Sequence, residues 1–169
     1  MDYFSRLTEA LLSIHEEDLK HVVDVIRKCH GIVWLFGNGG SFANAQHWSC
    51  DFLKTAKLRT AVLGANGALL TALSNDTRYE DAVAEEFGRL AQHGDVLIVL
   101  SCSGYSPNVA RLLMKARELS ITSVLFTGSI NTTIAQADTT VRIKSESYGI
   151  IEDCHAAIGH YLTQQLCHE

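Results

Sequence analysis

The chain has 169 residues, of which 47% are hydrophobic and 20% charged, and a net charge of −5, the make-up of one compact domain with a substantial core. This balance excludes a disordered chain, gives no general attraction for nucleic acid or an anionic membrane surface, and contains no block of like charges that would mark an interaction tail. Residues 1–10 show no apolar stretch behind a basic region, and no apolar run approaches the length of about 18 that spans a bilayer, so neither a secretory signal nor a transmembrane helix is expected and the cytoplasm is the expected location.

Residues 2–29 place Phe4, Leu7, Leu11, Leu12, Ile14, Leu19, Val22, Val23 and Ile26 at spacings of three and four. This predicts amphipathic helix, as two helices or one with a bend, lying outside the sheet or against a partner subunit. The apolar run 32–36 reads as a buried strand that stops at Gly37-Asn38-Gly39-Gly40, after which Ser41 opens a helix over 41–54. A short strand is predicted at 59–64 and a helical turn at 66–73, followed by a polar loop, Ser74-Asn75-Asp76-Thr77. A helix over 79–91 ends at His93-Gly94-Asp95, and 96–100 is an unbroken apolar strand leading into Ser101-Cys102-Ser103-Gly104-Tyr105-Ser106-Pro107-Asn108. Pro107, the only proline, suits the first position of a helix capped by Ser106 and running to about 119, since its missing N–H has no helical partner there. Strands at 124–126 and 139–143, a short helix at 130–135 and a final helix at 150–166 complete the chain.

Apolar strands without a period of two, alternating with helices, mean a parallel sheet covered on both faces. The expected fold is a three-layer α/β sandwich with about five parallel strands, formed by residues 1–169 as one domain. The cysteines, Cys29, Cys50, Cys102, Cys154 and Cys167, are odd in number and form no Cys-x-x-Cys, so neither a disulfide framework nor a zinc ribbon is indicated.

Two loops carry chemistry. Both GNGGS and SCSGYS follow a strand and precede a helix, so their backbone N–H groups and hydroxyls lie at the carboxyl end of the sheet, where a phosphate monoester would be held. GNGGS lacks the order of the dinucleotide fingerprint and the Gly-Lys-Ser/Thr of a P-loop, which disfavours nucleotides. His47 and Asp51, four residues apart, share a helix face. On the last helix Glu152 and His160 are eight residues apart, about 80° around the helix and 12 Å along it. A neutral imidazole beside a carboxylate fits either metal ligation or acid–base work.

The ordered set GNGGSxxxAxH, SND, S-x-S-G-x-S and Glu152-x7-His160 resembles the sugar isomerase (SIS) domain family over nearly the whole chain, and within it the sedoheptulose 7-phosphate (phosphoheptose) isomerases. The resemblance implies a Rossmann-like SIS fold in which Asn38, Gly39 and Gly40, with Ser41 behind them, contact substrate, as do Asn75 and Asp76. It implies that Ser101, Ser103 and Ser106 grip phosphate, with Cys102 where the family often has threonine. The family's catalytic glutamate falls on Asp51 and its catalytic histidine on His160, while Glu152 replaces a substrate-binding glutamine. Zn²⁺, or another divalent ion, would be held by His47, Asp51, Glu152 and His160.

The implied activity is aldose–ketose isomerisation of a phosphorylated sugar, sedoheptulose 7-phosphate to a heptose 7-phosphate, through an enediol. Asp51 would move the proton between C1 and C2, and His160 would exchange protons with the oxygens. Asp51 for glutamate shortens the carboxylate by one methylene, and Glu152 for glutamine adds a charge; together they favour a metal-loaded site, the alternative being a relative that takes a different sugar phosphate. The alternatives are a non-catalytic SIS oligomer that binds a protein partner, as a replication-initiation regulator of the family does, and a sugar-phosphate sensor. The presence of Asp51 and His160 favours the enzyme. The surplus of apolar positions on the first and last helices implies a homo-oligomer, a tetramer as in the family, with sites near subunit interfaces.

Overall fold

The central feature is a sheet of five parallel strands in the order β2-β1-β3-β4-β5, seen in a computed structural model that describes residues 2–129 and 136–167. The predicted helix at 130–135 lies outside the described residues. In chain order the elements are α1 (Tyr3–Leu12), α2 (Glu16–Arg27), β1 (Val33–Gly37), α3 (Gly40–Lys54), β2 (Thr60–Val62), α4 (Gly67–Asp76), α5 (Tyr79–Leu90), β3 (Val96–Ser101), α6 (Pro107–Glu118), β4 (Thr122–Thr127), β5 (Thr139–Arg142) and α7 (Tyr148–Cys167).

Every residue of β1 and β3 is buried, because both faces of the sheet are covered. Val33, Leu35, Ile98, Leu100, Val124 and Phe126 face one core with α2, α3 and α7. Trp34, Phe36, Leu97, Val99 and Leu125 face the other with α5 and α6. The continuous apolar strands seen in the sequence are therefore two interleaved faces, each with its own helical layer.

The strand order reverses between β1 and β3, which are neighbours in the sheet although β2 separates them in the chain. In an open parallel sheet this switch point opens a crevice beyond the carboxyl ends of the strands. GNGGS leaves β1 and SCSGYS leaves β3, so the topology alone sets the two loops side by side.

Residues 2–29 form two helices, broken at Ser13, whose hydroxyl donates to Ala10 O (2.7 Å). The polar loop expected at 74–77 is corrected: α4 runs on through Ser74, Asn75 and Asp76. The Ser74 and Thr77 hydroxyls donate back to the carbonyls of Leu70 and Leu73, both at 2.7 Å, satisfying helical acceptors with side chains that the sequence reads as turn formers. Helix α7 likewise begins at Tyr148, before the predicted start. No helix among the described residues is long and apolar enough to cross a membrane.

Candidate active site

Two polar centres lie near the switch point, one at the loop ends beside α5 and α6 and the other along the α3–α7 crossing. The first is the loop end. Ser101 and Ser103 are each 5% exposed; the Ser101 hydroxyl accepts the Gly104 N–H (3.1 Å) and the Ser103 hydroxyl that of Tyr105 (3.5 Å). They hold the loop's own backbone in shape. Ser106 is the N-cap residue of α6 and Pro107 the first helical one, as predicted, but the Ser106 side chain makes no cap bond. Its hydroxyl faces the crevice at a helix N-terminus, where the dipole favours an anion.

Asn38, in the other loop, donates through Nδ2 to Asn108 Oδ1 (3.0 Å) and accepts from Asn108 Nδ2 (2.8 Å). The Tyr79 hydroxyl also donates to Asn38 Oδ1 (3.3 Å). Asn38 and Tyr79 border two cavities, one of about 230 Å³ bounded by Phe42, Leu70 and Val83, the other of about 400 Å³ bounded by Arg78, Ser106 and Asn108.

Beneath this end, α7 brings Glu152 against the first turn of α3. A Cβ on Gly40 would overlap the Glu152 carboxylate, so only glycine allows the acid to lie there. Asn44 Nδ2 donates to the Glu152 carbonyl (2.9 Å) and ties the two helices together. The buried Cys102 Sγ lies 3.7 Å from Ser41 Oγ and 3.9 Å from Glu152 Oε1. Burial pushes the Cys102 thiol up, so it stays protonated and acts as a small apolar side chain with a weak donor.

The second centre lies further along the α3–α7 crossing. Gly159 packs directly on the Trp48 indole, where any Cβ would overlap the ring, and Trp48 Nε1 donates to the His155 carbonyl (3.0 Å). The next side chains outward are His47 and His160. Their Nε2 atoms are 2.9 Å apart, with the rings at 88°. Asp51 Oδ2 lies 3.5 Å from His47 Nε2 and 3.8 Å from His160 Nε2. The side chains are 49%, 58% and 24% exposed for His47, His160 and Asp51, so the cluster is open to a ligand from one side.

Two nitrogens and one carboxylate oxygen that lie within 4.8 Å of one another suit a divalent ion. Bonds of 2.0–2.1 Å in a tetrahedron would set ligand atoms about 3.3 Å apart, and the three separations straddle that value. A three-ligand set also leaves a position for a substrate oxygen, the pattern of catalytic rather than structural zinc.

The structure thus gathers His47, Asp51 and His160. Glu152 is not among them: eight residues along α7 put it about 12 Å from His160, at the loop end. Asn75 and Asp76 are exposed at the end of α4, and the one side-chain bond they make among the described residues is to each other (3.3 Å). Sequence reasoning missed Asn108, Tyr79 and the Trp48–Gly159 contact. Only the position of Asn108, at the second residue of the helix that follows the SCSGYS loop, could have drawn attention to it.

The SIS domain family's sequence profile matches residues 1–128. Over 153 residues the chain is 35% identical to a phosphoheptose isomerase from Aquifex aeolicus, covering 87% of this chain and 80% of the relative. It is 32% identical over 168 residues to one from Maridesulfovibrio salexigens, covering 92% and 82%. Among solved structures, a phosphoheptose isomerase from Neisseria gonorrhoeae superposes with a TM-score of 0.87 over 97% of this chain and 95% of that one, at 24% identity; at that identity the likeness speaks for the fold.

Proposed function

The chain belongs to the SIS domain family, among the phosphoheptose isomerases, and from that premise we infer that it is a sugar-phosphate isomerase converting sedoheptulose 7-phosphate to a heptose 7-phosphate through an enediol. The observation that carries this reading is the convergence of His47, Asp51 and His160 from two different helices.

The phosphate is assigned to the SCSGYS loop, where the Ser106 hydroxyl makes no cap bond at the start of α6, although the Val109 N–H there is already taken by Asn108 Oδ1. Asn38, Gly39 and Gly40 take the sugar hydroxyls, with Asn75 and Asp76 as further contacts from α4. From Gly40 to His47 is seven residues, about 10 Å along α3, so the sugar phosphate would lie extended along that helix. Its C1–C2 end then meets the helix-face cluster.

Asp51 is the base that removes the proton at one carbon and returns it at the other. His160 delivers and removes the oxygen protons. Without an ion between them, Nε2 atoms 2.9 Å apart require one to donate and the other to accept, so in that state His47 fixes the tautomer His160 presents. The donor set fits Zn²⁺, held by His47, Asp51 and His160; when bound, such an ion would polarise the carbonyl and stabilise negative charge on the substrate oxygens. Glu152 joins that set only if a neighbouring copy of the chain supplies it.

A tetramer is the proposed assembly, supported by the exposed apolar side chains Phe4, Leu12 and Leu53 on α1 and α3. The proposed location is the cytoplasm, where charge retains phosphorylated sugars. Incubating the protein with sedoheptulose 7-phosphate, with and without Zn²⁺ after chelator treatment, tests the reading. Turnover that rises on adding Zn²⁺ supports both the reaction and the ion, turnover indifferent to metal removes the ion alone, and none in either case removes the isomerase.

A further inference from the structure

Asn108 has no part in the chemistry described above, yet it is an amide 3% exposed with an unusually complete set of partners. It exchanges two hydrogen bonds with Asn38, at 2.8 and 3.0 Å, and its Oδ1 also accepts the Val109 N–H (3.0 Å) inside the first turn of α6. Asn38 Oδ1 in turn accepts the Tyr79 hydroxyl at the start of α5. Breaking the amide pair would leave the buried Asn108 amide short of partners away from water, which holds that pair at a fixed geometry, while the exposed Tyr79 arm is more easily replaced by water.

The three residues come from three loops: Asn38 from the turn after β1, Asn108 from the helix start after β3, and Tyr79 from the entry to α5. The amide pair is the only side-chain hydrogen bonding seen between the GNGGS loop and the start of α6 among the described residues. Asn38 and Tyr79 are also shared by the walls of both cavities at this end.

We propose that Asn108 is a positioning residue that sets the distance between the phosphate-holding loop and the sugar-holding loop through a reciprocal amide clasp on Asn38, with Tyr79 as the third arm. The clasp rests on the proposed sugar-phosphate reading and deepens it. A ligand that touches only the serine loop is indifferent to the clasp. A ligand that must engage both loops at once depends on it, since a displaced anchor misplaces one end of the molecule.

The test compares two ligands on the full-length protein by isothermal titration calorimetry: inorganic phosphate, which needs one loop, and sedoheptulose 7-phosphate, which needs both. Asn108→Ala is expected to weaken the sugar phosphate by about 10-fold or more, as the loss of two hydrogen bonds implies, while phosphate affinity stays within about twofold of wild type. Tyr79→Phe, which keeps the ring and removes one bond, is expected to move the same ratio in the same direction by about two- to fivefold, and serves if Asn108→Ala does not fold. Parallel weakening of both ligands, or an unchanged ratio in the folded variants, overturns the clasp. A wild-type protein that binds phosphate but not the sugar phosphate overturns the proposed function, and the clasp with it.

Discussion

The loop end and the helix-face cluster are built in opposite ways. At the loop end, geometry is set by backbone: strand ends at a topological switch point, a helix start, and serines that spend hydroxyls on their own loop. At the cluster, geometry is set by side-chain packing: Gly159 lets α7 close on Trp48, and that inner contact brings His47 and His160 to 2.9 Å on the outside. A site made this way can lose its chemistry without losing its grip on substrate, or the reverse.

The largest expected separation comes from Asp51→Asn. It removes the proposed base and leaves both loops, so kcat should fall by about 10²–10⁴-fold with KM little changed; steady-state kinetics check this. Gly159→Ala attacks the same centre from inside. A Cβ against Trp48 should cost about 1–3 kcal/mol of stability by overpacking and lower kcat as the two histidines part, readable by denaturant unfolding and kinetics together. The loop end is broken instead by Ser106→Ala, which should raise KM about tenfold, the loss of one hydrogen bond to a charged group, and keep kcat near wild type.

The smallest effect concerns the packing behind the cluster. His155 is fully buried, its ring meets Phe126, and neither ring nitrogen has a partner among the described residues. Burial lowers its pKa from 6.5 to about 3. The unfolded chain therefore binds a proton below about pH 6.5 that the folded protein refuses, and stability falls as pH drops from there toward 3, by up to about 1.4 kcal/mol per unit from this group. Urea unfolding at pH 5 to 7 should show that slope in the wild type and a shallower one in His155→Leu. An unchanged slope would mean that other groups govern acid stability.

The same contrast explains what could be read before the fold was known. The strands were legible because double-sided burial leaves continuous apolar runs, as in 96–100. The loops were legible because glycine, serine and the lone Pro107 punctuate the ends of those strands. The extension of α4 through Ser74-Asn75-Asp76 was not, since residues typical of turns there return their hydroxyls to helical carbonyls. Helical arithmetic already set Glu152 and His160 about 12 Å apart, but not which of them would meet His47 and Asp51. That pairing, like the Asn38–Asn108 clasp across 70 residues, depends on a tertiary contact that no local pattern encodes.

The claim at the centre of this account is that Asp51 carries a proton between C1 and C2 at the helix-face cluster. Following sedoheptulose 7-phosphate in D₂O by NMR tests it most directly. The account predicts that the wild-type protein incorporates solvent deuterium at the reacting carbon as product forms, and that Asp51→Asn, still binding the sugar phosphate, does so at least about a hundredfold more slowly. Exchange or product formation by Asp51→Asn at the wild-type rate would contradict it.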